Sequence, residues 1–246
     1  MINMEIYLTD DIRLKENIME YRYKSDKFKP VTKNNWHLKL DEYGWEKLSK
    51  KWITKLNKLS EIKNKNSPYG ILDCESDGDC LFHCIAQSLN ERDMNKNIYY
   101  NSCDIRNMIS DNITLKQYDL LMNFYRIMKD SDDFEEEWDP YSINSYEEFK
   151  EKIKTPGHEY WGDYLLLQIL IETLQLNIFV LNSNEFDNDY SVYNTLNDYN
   201  NSNDSIFLLY ENNCHFKLLG YFNDKMISHF NNDTIPYELK KLYNLD

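Results

Sequence analysis

The stretch that decides the fold reads Asp77-Gly78-Asp79-Cys80-Leu81-Phe82. Just before it, Tyr69, Ile71 and Leu72 form an apolar run that reads as a strand ending at Asp73. Glu75, Ser76, Asp77 and Gly78 then read as a tight loop. Just after it, Leu81, Ile85 and Leu89 recur at helical spacing, so Cys80 sits where a loop becomes a helix. The first N–H groups of a helix lack intrahelical partners, and the helix dipole favours negative charge there. A cysteine in that position is expected as a thiolate, the nucleophilic form. Gly78 lets the backbone turn sharply and leaves room for a substrate chain.

Two later stretches complete the pattern. Trp161-Gly162-Asp163 opens a helix with apolar positions at Leu166, Ile169, Leu170 and Leu174. It closes at Gln175-Leu176-Asn177 and gives way to the wholly apolar run Ile178–Leu181, as a buried strand would. A polar loop from Asn182 to Asp204 follows, long enough to shape the entrance to a site. Ser205 to Tyr221 reads as a hairpin: Ile206–Tyr210, a turn at Glu211–Cys214, and a second strand that starts at His215. A terminal helix is expected near Pro236.

Taken together, these residues resemble the ovarian-tumour (OTU) family of cysteine proteases, which are mostly deubiquitinases. The signature loop, the Trp-Gly helix and a histidine followed by an aromatic, Phe216, occur in the family's order and cover about Tyr69 to Tyr221. The segment His215 to Phe222 is similar to OTU proteins of large DNA viruses. The resemblance implies a papain-like α/β fold, with a small mixed sheet flanked by helices and Cys80 opening the central helix. It also implies thiol-dependent hydrolysis of isopeptide or peptide bonds at the C-terminal glycine of ubiquitin or a ubiquitin-like protein. Cys80 would be the nucleophile and His215 the base. Their third partner is open between Asp77, which the resemblance favours, and Asn213 at the hairpin turn. The oxyanion would be met by backbone N–H groups of Cys80 and the Asp77–Asp79 loop.

Two positions depart from the family pattern. Asp79 stands where Asn is usual, and its carboxylate is expected to face outward, away from the thiol. Lys217 stands where an acidic or amide residue often follows the histidine, and an ammonium cannot accept a hydrogen bond. These departures keep a second reading alive, a catalytically weak OTU-like module that binds ubiquitin or another protein. No metal or organic cofactor is implied. Cys74, Cys80, His83 and Cys84 lack the paired spacing of a structural zinc site. Cys74, Cys84, Cys103 and Cys214 read as plain thiols.

Composition sets the outer bounds. The 246 residues are 41% hydrophobic and 15% aromatic, which argues for a folded chain. A formal net charge of −14 argues against a general nucleic-acid binder. Five cysteines with no paired framework suggest a reducing compartment, hence the cytoplasm, the host's if the protein is viral. No signal peptide or membrane-spanning run is evident.

Charge divides unevenly along the chain. Residues 1–66 hold 15 Lys and Arg against 10 Asp and Glu, while the remainder holds 13 against 32. Residues 1–66 are read as a helical accessory segment, residues 67–246 as the catalytic domain. Within the first, Trp45, Leu48, Trp52, Leu56 and Leu59 suggest one helix from about Tyr43 to Ser60 that packs its tryptophans on the main domain. A nucleic-acid role for its lysines is the less favoured alternative. Asn64 to Pro68 reads as a linker. The acidic run Asp130–Asp139 reads as a solvated surface loop, in preference to a contact for basic residues of a protein substrate.

Overall fold

In the computed structural model, residues 5–25, 27–60, 66–75, 77–96, 98–134, 136–193 and 199–245 are described. Ser76, Asn64 and Lys65 of the expected linker, Glu135 of the acidic run and residues 194–198 of the polar loop lie outside the described residues.

The chain begins with a four-stranded antiparallel sheet of β1 (Glu5–Tyr7), β2 (Ile12–Lys15), β3 (Ile18–Lys24) and β4 (Lys27–Pro30), in that order. A short helix α1 (Trp36–Lys39), strand β5 (Trp45–Lys47) and helix α2 (Lys50–Leu59) lead to β6 (Tyr69–Asp73). Helix α3 (Cys80–Asp93) follows the signature loop, and α4 (Ser102–Asn112), α5 (Leu115–Asp130), α6 (Tyr146–Lys154) and α7 (Tyr164–Leu174) come next. The chain then runs through β7 (Asn177–Ser183), β8 (Ser205–Glu211), β9 (His215–Asn223), β10 (Lys225–Ile227) and α8 (Tyr237–Tyr243).

Six of these strands form the main sheet, ordered β5-β6-β9-β8-β7, with β10 hairpinned onto β9. Among the described residues, β7 and β8 are the parallel pair of this sheet; its other pairs are antiparallel. The strands are buried on both faces. On one side Leu72, Val180, Leu208 and Leu218 pack against Leu81, Ile85 and Leu89 of α3 and against α4 and α7. On the other, Ile71, Phe179, Phe207 and Leu219 meet Trp52 and Leu56 of α2 and Leu239 of α8. This is the mixed sheet flanked by helices that the resemblance implied.

The expected helix over Tyr43–Ser60 is two elements instead. Gly44, at φ +84°, breaks the run, and Trp45–Lys47 pairs antiparallel with Leu72–Gly70 as an edge strand. The helix starts only after Ser49, whose side chain caps Trp52 N–H. Three apolar residues at steps of three and four fit both arrangements, and the free edge of β6 captures the first of them. The tryptophans do dock on the main domain. Gly70 of β6 and Gly220 of β9 are direct cross-strand partners, and a Cβ on either would come within 3 Å of the Trp36 or Trp45 ring. These two glycines form a slot in the sheet that the aromatic rings of the N-terminal segment fill.

The acidic run is solvated and also anchored. Phe134 and Trp138 are buried in an aromatic cluster with Tyr125, Phe149 and Tyr160. Asp130, Asp132, Asp133, Glu137 and Asp139 face water as expected, while Glu136 is half-buried.

Candidate active site

β6 and α3 deliver the nucleophile candidate. Asp77 Oδ1 accepts from the N–H of Asp79 at 3.0 Å, which closes the loop into α3. Gly78 has φ +91°, and a Cβ there would lie 2.4 Å from the backbone of Gly157. The space that glycine leaves is thus occupied by the Gly157–His158 segment of this same chain.

Cys80 is the first residue of α3, so its own N–H has no helical acceptor. Its sulfur accepts from the N–H of Phe216 on β9 at 3.5 Å. His215, one residue earlier, lines the same cavity as Cys80, a cleft of about 400 Å³ walled also by Asp73, Gly78, His158, Trp161, Gly162, Glu211, Cys214 and Lys217. A larger space of about 490 Å³ lies between the N-terminal sheet and α3, and neither cysteine nor histidine lines it.

Burial works against the expected thiolate. It pushes the Cys80 thiol up, and the charges of Asp77 and Cys214 act in the same direction. The N–H groups of Phe216 and Leu81 oppose the shift without reversing it. That direction calls for a base to take the proton as sulfur attacks.

Cys80 and His215 line one cleft, while Asp77 lies elsewhere. Asp77 Oδ2 lies 3.3 Å from His83 Nε2, on the α3 side of the loop. The carboxylate that meets the candidate base is Asp73, the last residue of β6, with Oδ1 2.9 Å from His215 Nε2. Asn213 occupies the turn in a left-handed conformation, and its carbonyl accepts from the Tyr210 hydroxyl. Asp73 was read from the sequence only as a strand end. Its proximity follows from register: Asp73 pairs with Lys217, and His215 lies two residues away on the same face of β9. A lysine on the face of a candidate base was the available signal that an acid must stand opposite.

Asp79 points inward, not outward. It is 3% exposed and receives Arg106 Nε at 2.9 Å, a second bond from Arg106 Nη2, Ser102 Oγ at 3.3 Å and Gly157 N–H at 3.0 Å. The fully buried Arg106 neutralises the carboxylate that would otherwise press on the thiol. The guanidinium also donates to the carbonyls of Ile153 and Tyr160 and stacks on Phe82. One ion pair thereby joins the signature loop, α4, the end of α6 and the cavity wall.

Glu136 pins the opposite wall. It accepts from Trp161 N–H at 3.2 Å and from the indole N–H of Trp138. Burial, aided by the charge of Asp163, pushes its carboxyl up to about 8, and burial pushes Asp163 up to about 6. Both folded-state values exceed the ordinary carboxylate range, so the folded protein holds protons that the unfolded chain has released. Stability is therefore expected to fall by a few kcal/mol as pH rises from about 4, the unfolded carboxylate range, to about 8. Glu136→Gln keeps the acceptor and should flatten the Glu136 part of that slope in thermal unfolding measured across pH. An unchanged slope would contradict the assignment.

Among the described residues, the ligand atoms that converge as a metal-capable group are those of Glu75, Asp77 and His83, within 4.8 Å of one another. The group lies on the exposed side of the signature loop and apart from the Cys80 cleft. Cys74 and Cys84 are buried behind the sheet. No helix of the described residues is long and apolar enough to cross a membrane.

Comparison with known proteins places this geometry in a family. Residues 75–216 match the model of the OTU-like cysteine proteases, and the chain belongs to that family. Its fold is accordingly the papain-like α/β arrangement, with the nucleophile candidate at the start of the central helix. A protein of Tipula iridescent virus, named as a ubiquitin thioesterase, is 27% identical over 128 residues, which cover 51% of this chain and 14% of that protein. The chain thus matches about one-seventh of the length of that relative. An OTU domain solved in complex with ubiquitin is similar over 71% of this chain and 80% of its own, at 19% identity and a TM-score of 0.44. An OTU deubiquitinase of Wolbachia pipientis wMel is similar over 71% of this chain and 96% of its own, at 13% identity and a TM-score of 0.39.

Proposed function

We propose that the chain is a deubiquitinase that hydrolyses isopeptide or peptide bonds at the C-terminal glycine of ubiquitin or a ubiquitin-like protein. The observation that carries the reading is the cleft lined by both Cys80 and the Asp73-bonded His215 in a chain of this family. Cys80 is assigned as nucleophile and His215 as general base and acid. A carboxylate only accepts, so the proton on His215 sits on Nε2 toward Asp73, and the basic lone pair is on Nδ1. Nδ1 takes the Cys80 proton as sulfur attacks the carbonyl. The imidazolium then returns that proton to the leaving amine, and water, deprotonated by the same nitrogen, releases the thioester. The Cys80 N–H at the start of α3 is suited to the oxyanion, whereas the Asp79 N–H is already bonded to Asp77. Asp77 is assigned to shaping that loop through its bond to Asp79 N–H.

The substrate class follows from the surroundings of the cleft. The acidic balance of residues 67–246 suits a basic tail. On α5, Leu120, Phe124 and Ile127 form an exposed apolar stripe, a surface for a folded modifier. The name of the viral relative agrees with ubiquitin as that modifier. Residues 67–246 carry the chemistry in this reading and residues 1–66 are an accessory layer. The proposed setting is the cytoplasm, the host's for a viral protein. The carboxylate that Asp73 supplies favours an enzyme over a catalytically weak binding module.

The test is cleavage of a panel of di-ubiquitins and of a ubiquitin C-terminal amide by the full chain. Turnover that disappears in Cys80→Ala is expected. A wild-type chain that cleaves none of them would remove the proposal.

A further inference from the structure

Lys217 is the position that seemed to argue against catalysis, and its surroundings give it a role. Its side chain is 14% exposed, and its Nζ lies 2.9 Å from Glu211 Oε2 and 3.5 Å from Asp73 Oδ2. Asp73 divides its two oxygens: Oδ1 meets His215 Nε2 at 2.9 Å and Oδ2 faces the ammonium. The arrangement is built by register. Asp73 on β6 is opposite Lys217 on β9, and Glu211 on β8 is opposite His215. Alternation puts Glu211, His215, Lys217 and Asp73 on one face at one end of three adjacent strands.

We propose that Lys217 is a positioning residue: its ammonium, anchored by Glu211, holds the Asp73 carboxylate in the orientation that receives the His215 Nε2–H. The inference rests on the reading of Cys80 and His215 as the reacting pair. The acid that often stands two residues after the histidine has in effect moved one strand across, and the vacated position carries the cation that fixes it. A holder is needed because the Asp73 side chain is 45% exposed at a strand end, where an unrestrained carboxylate turns toward water. Burial opposes the charge on Asp73, but the bond from His215 and the charges of His215 and Lys217 outweigh it and hold the carboxyl below its usual range. Burial likewise opposes the charge on Lys217, and Glu211 and Asp73 overcome it.

The test follows the His215 ring nitrogens by 15N NMR in the full chain, beside kcat and KM on a ubiquitin C-terminal amide. In Lys217→Met the share of the Nε2–H tautomer should fall, with kcat down ~10-fold and KM within twofold. Lys217→Arg restores a cation and should bring back the wild-type tautomer and most of kcat. Lys217→Gln keeps a donor without charge and should recover part of kcat; it carries the test if the Met variant does not fold. Tautomer and kcat unchanged in the Met and Gln variants would overturn the proposal. The same tautomer change in a chain that cleaves nothing sustains the Lys217 contact and removes the hydrolase reading instead.

Discussion

Asp73→Ala is expected to lower kcat/KM on a ubiquitin C-terminal amide by about two to three orders of magnitude. Asp77→Asn should cost less than about fivefold, because an amide oxygen can still accept from Asp79 N–H. The contrast arises from where the two carboxylates lie. Asp73 Oδ1 is 2.9 Å from His215 Nε2, whereas Asp77 Oδ2 is 3.3 Å from His83 and bonds the signature loop with its other oxygen. Removing Asp73 frees the imidazole to rotate and to take the other tautomer, which puts the proton on the nitrogen that should accept one. Asp73→Asn retains an acceptor and should fall between the two, as Cys-His-Asn sites do their chemistry with a neutral partner. Steady-state kinetics of the three variants decide the matter. A larger loss in Asp77→Asn than in Asp73→Ala would return the orienting role to the signature loop.

Arg106→Met should destabilise the fold by ~3–5 kcal/mol, because breaking a buried ion pair from one side strands the other charge. The stranded group is Asp79, 3% exposed, and the carbonyls of Ile153 and Tyr160 lose their donors in the same step. For a chain of this size the loss corresponds to roughly 10 °C in Tm. A second change, Asp79→Asn, removes the stranded charge but keeps an acceptor for Gly157 N–H, so the double variant should regain part of the loss. That non-additivity, read from denaturant unfolding of both single variants and the double one, reports the coupling of the pair. A Tm for Arg106→Met within 2 °C of wild type would contradict the buried pair.

The same pair shows why one part of the site was legible in the sequence and another was not. Cys80 and His215 stood out because each occupies a local feature, a loop entering a helix and the first residue of a strand. Helix α7 was legible for a similar reason: Asp163 caps Leu166 N–H and Gln175 ends the helix in a left-handed conformation. Asp79 and Asp73 owe their surroundings to partners 27 and 142 residues away. Nothing near Asp79 announces Arg106, and the pairing of Asp73 with His215 appears only once β6 and β9 are in register. The local rule about helix ends favours a thiolate at Cys80, and the burial that opposes it was not legible in the sequence. The four N-terminal strands were missed for another reason. Their core positions Ile12, Leu14 and Met19 are few: the alternation in Ile12–Lys15 lasts only four residues, and β3 buries Met19 alone.

The most direct measurement is covalent capture of Cys80 by a ubiquitin carrying a C-terminal electrophile, mapped by mass spectrometry of the folded full chain. One ubiquitin per chain, attached at Cys80, is expected, with capture much slower in His215→Ala and undetectable in Cys80→Ala. Attachment at the exposed Cys103 or Cys214 in place of Cys80, or capture at Cys80 whose rate is indifferent to His215, would contradict the account.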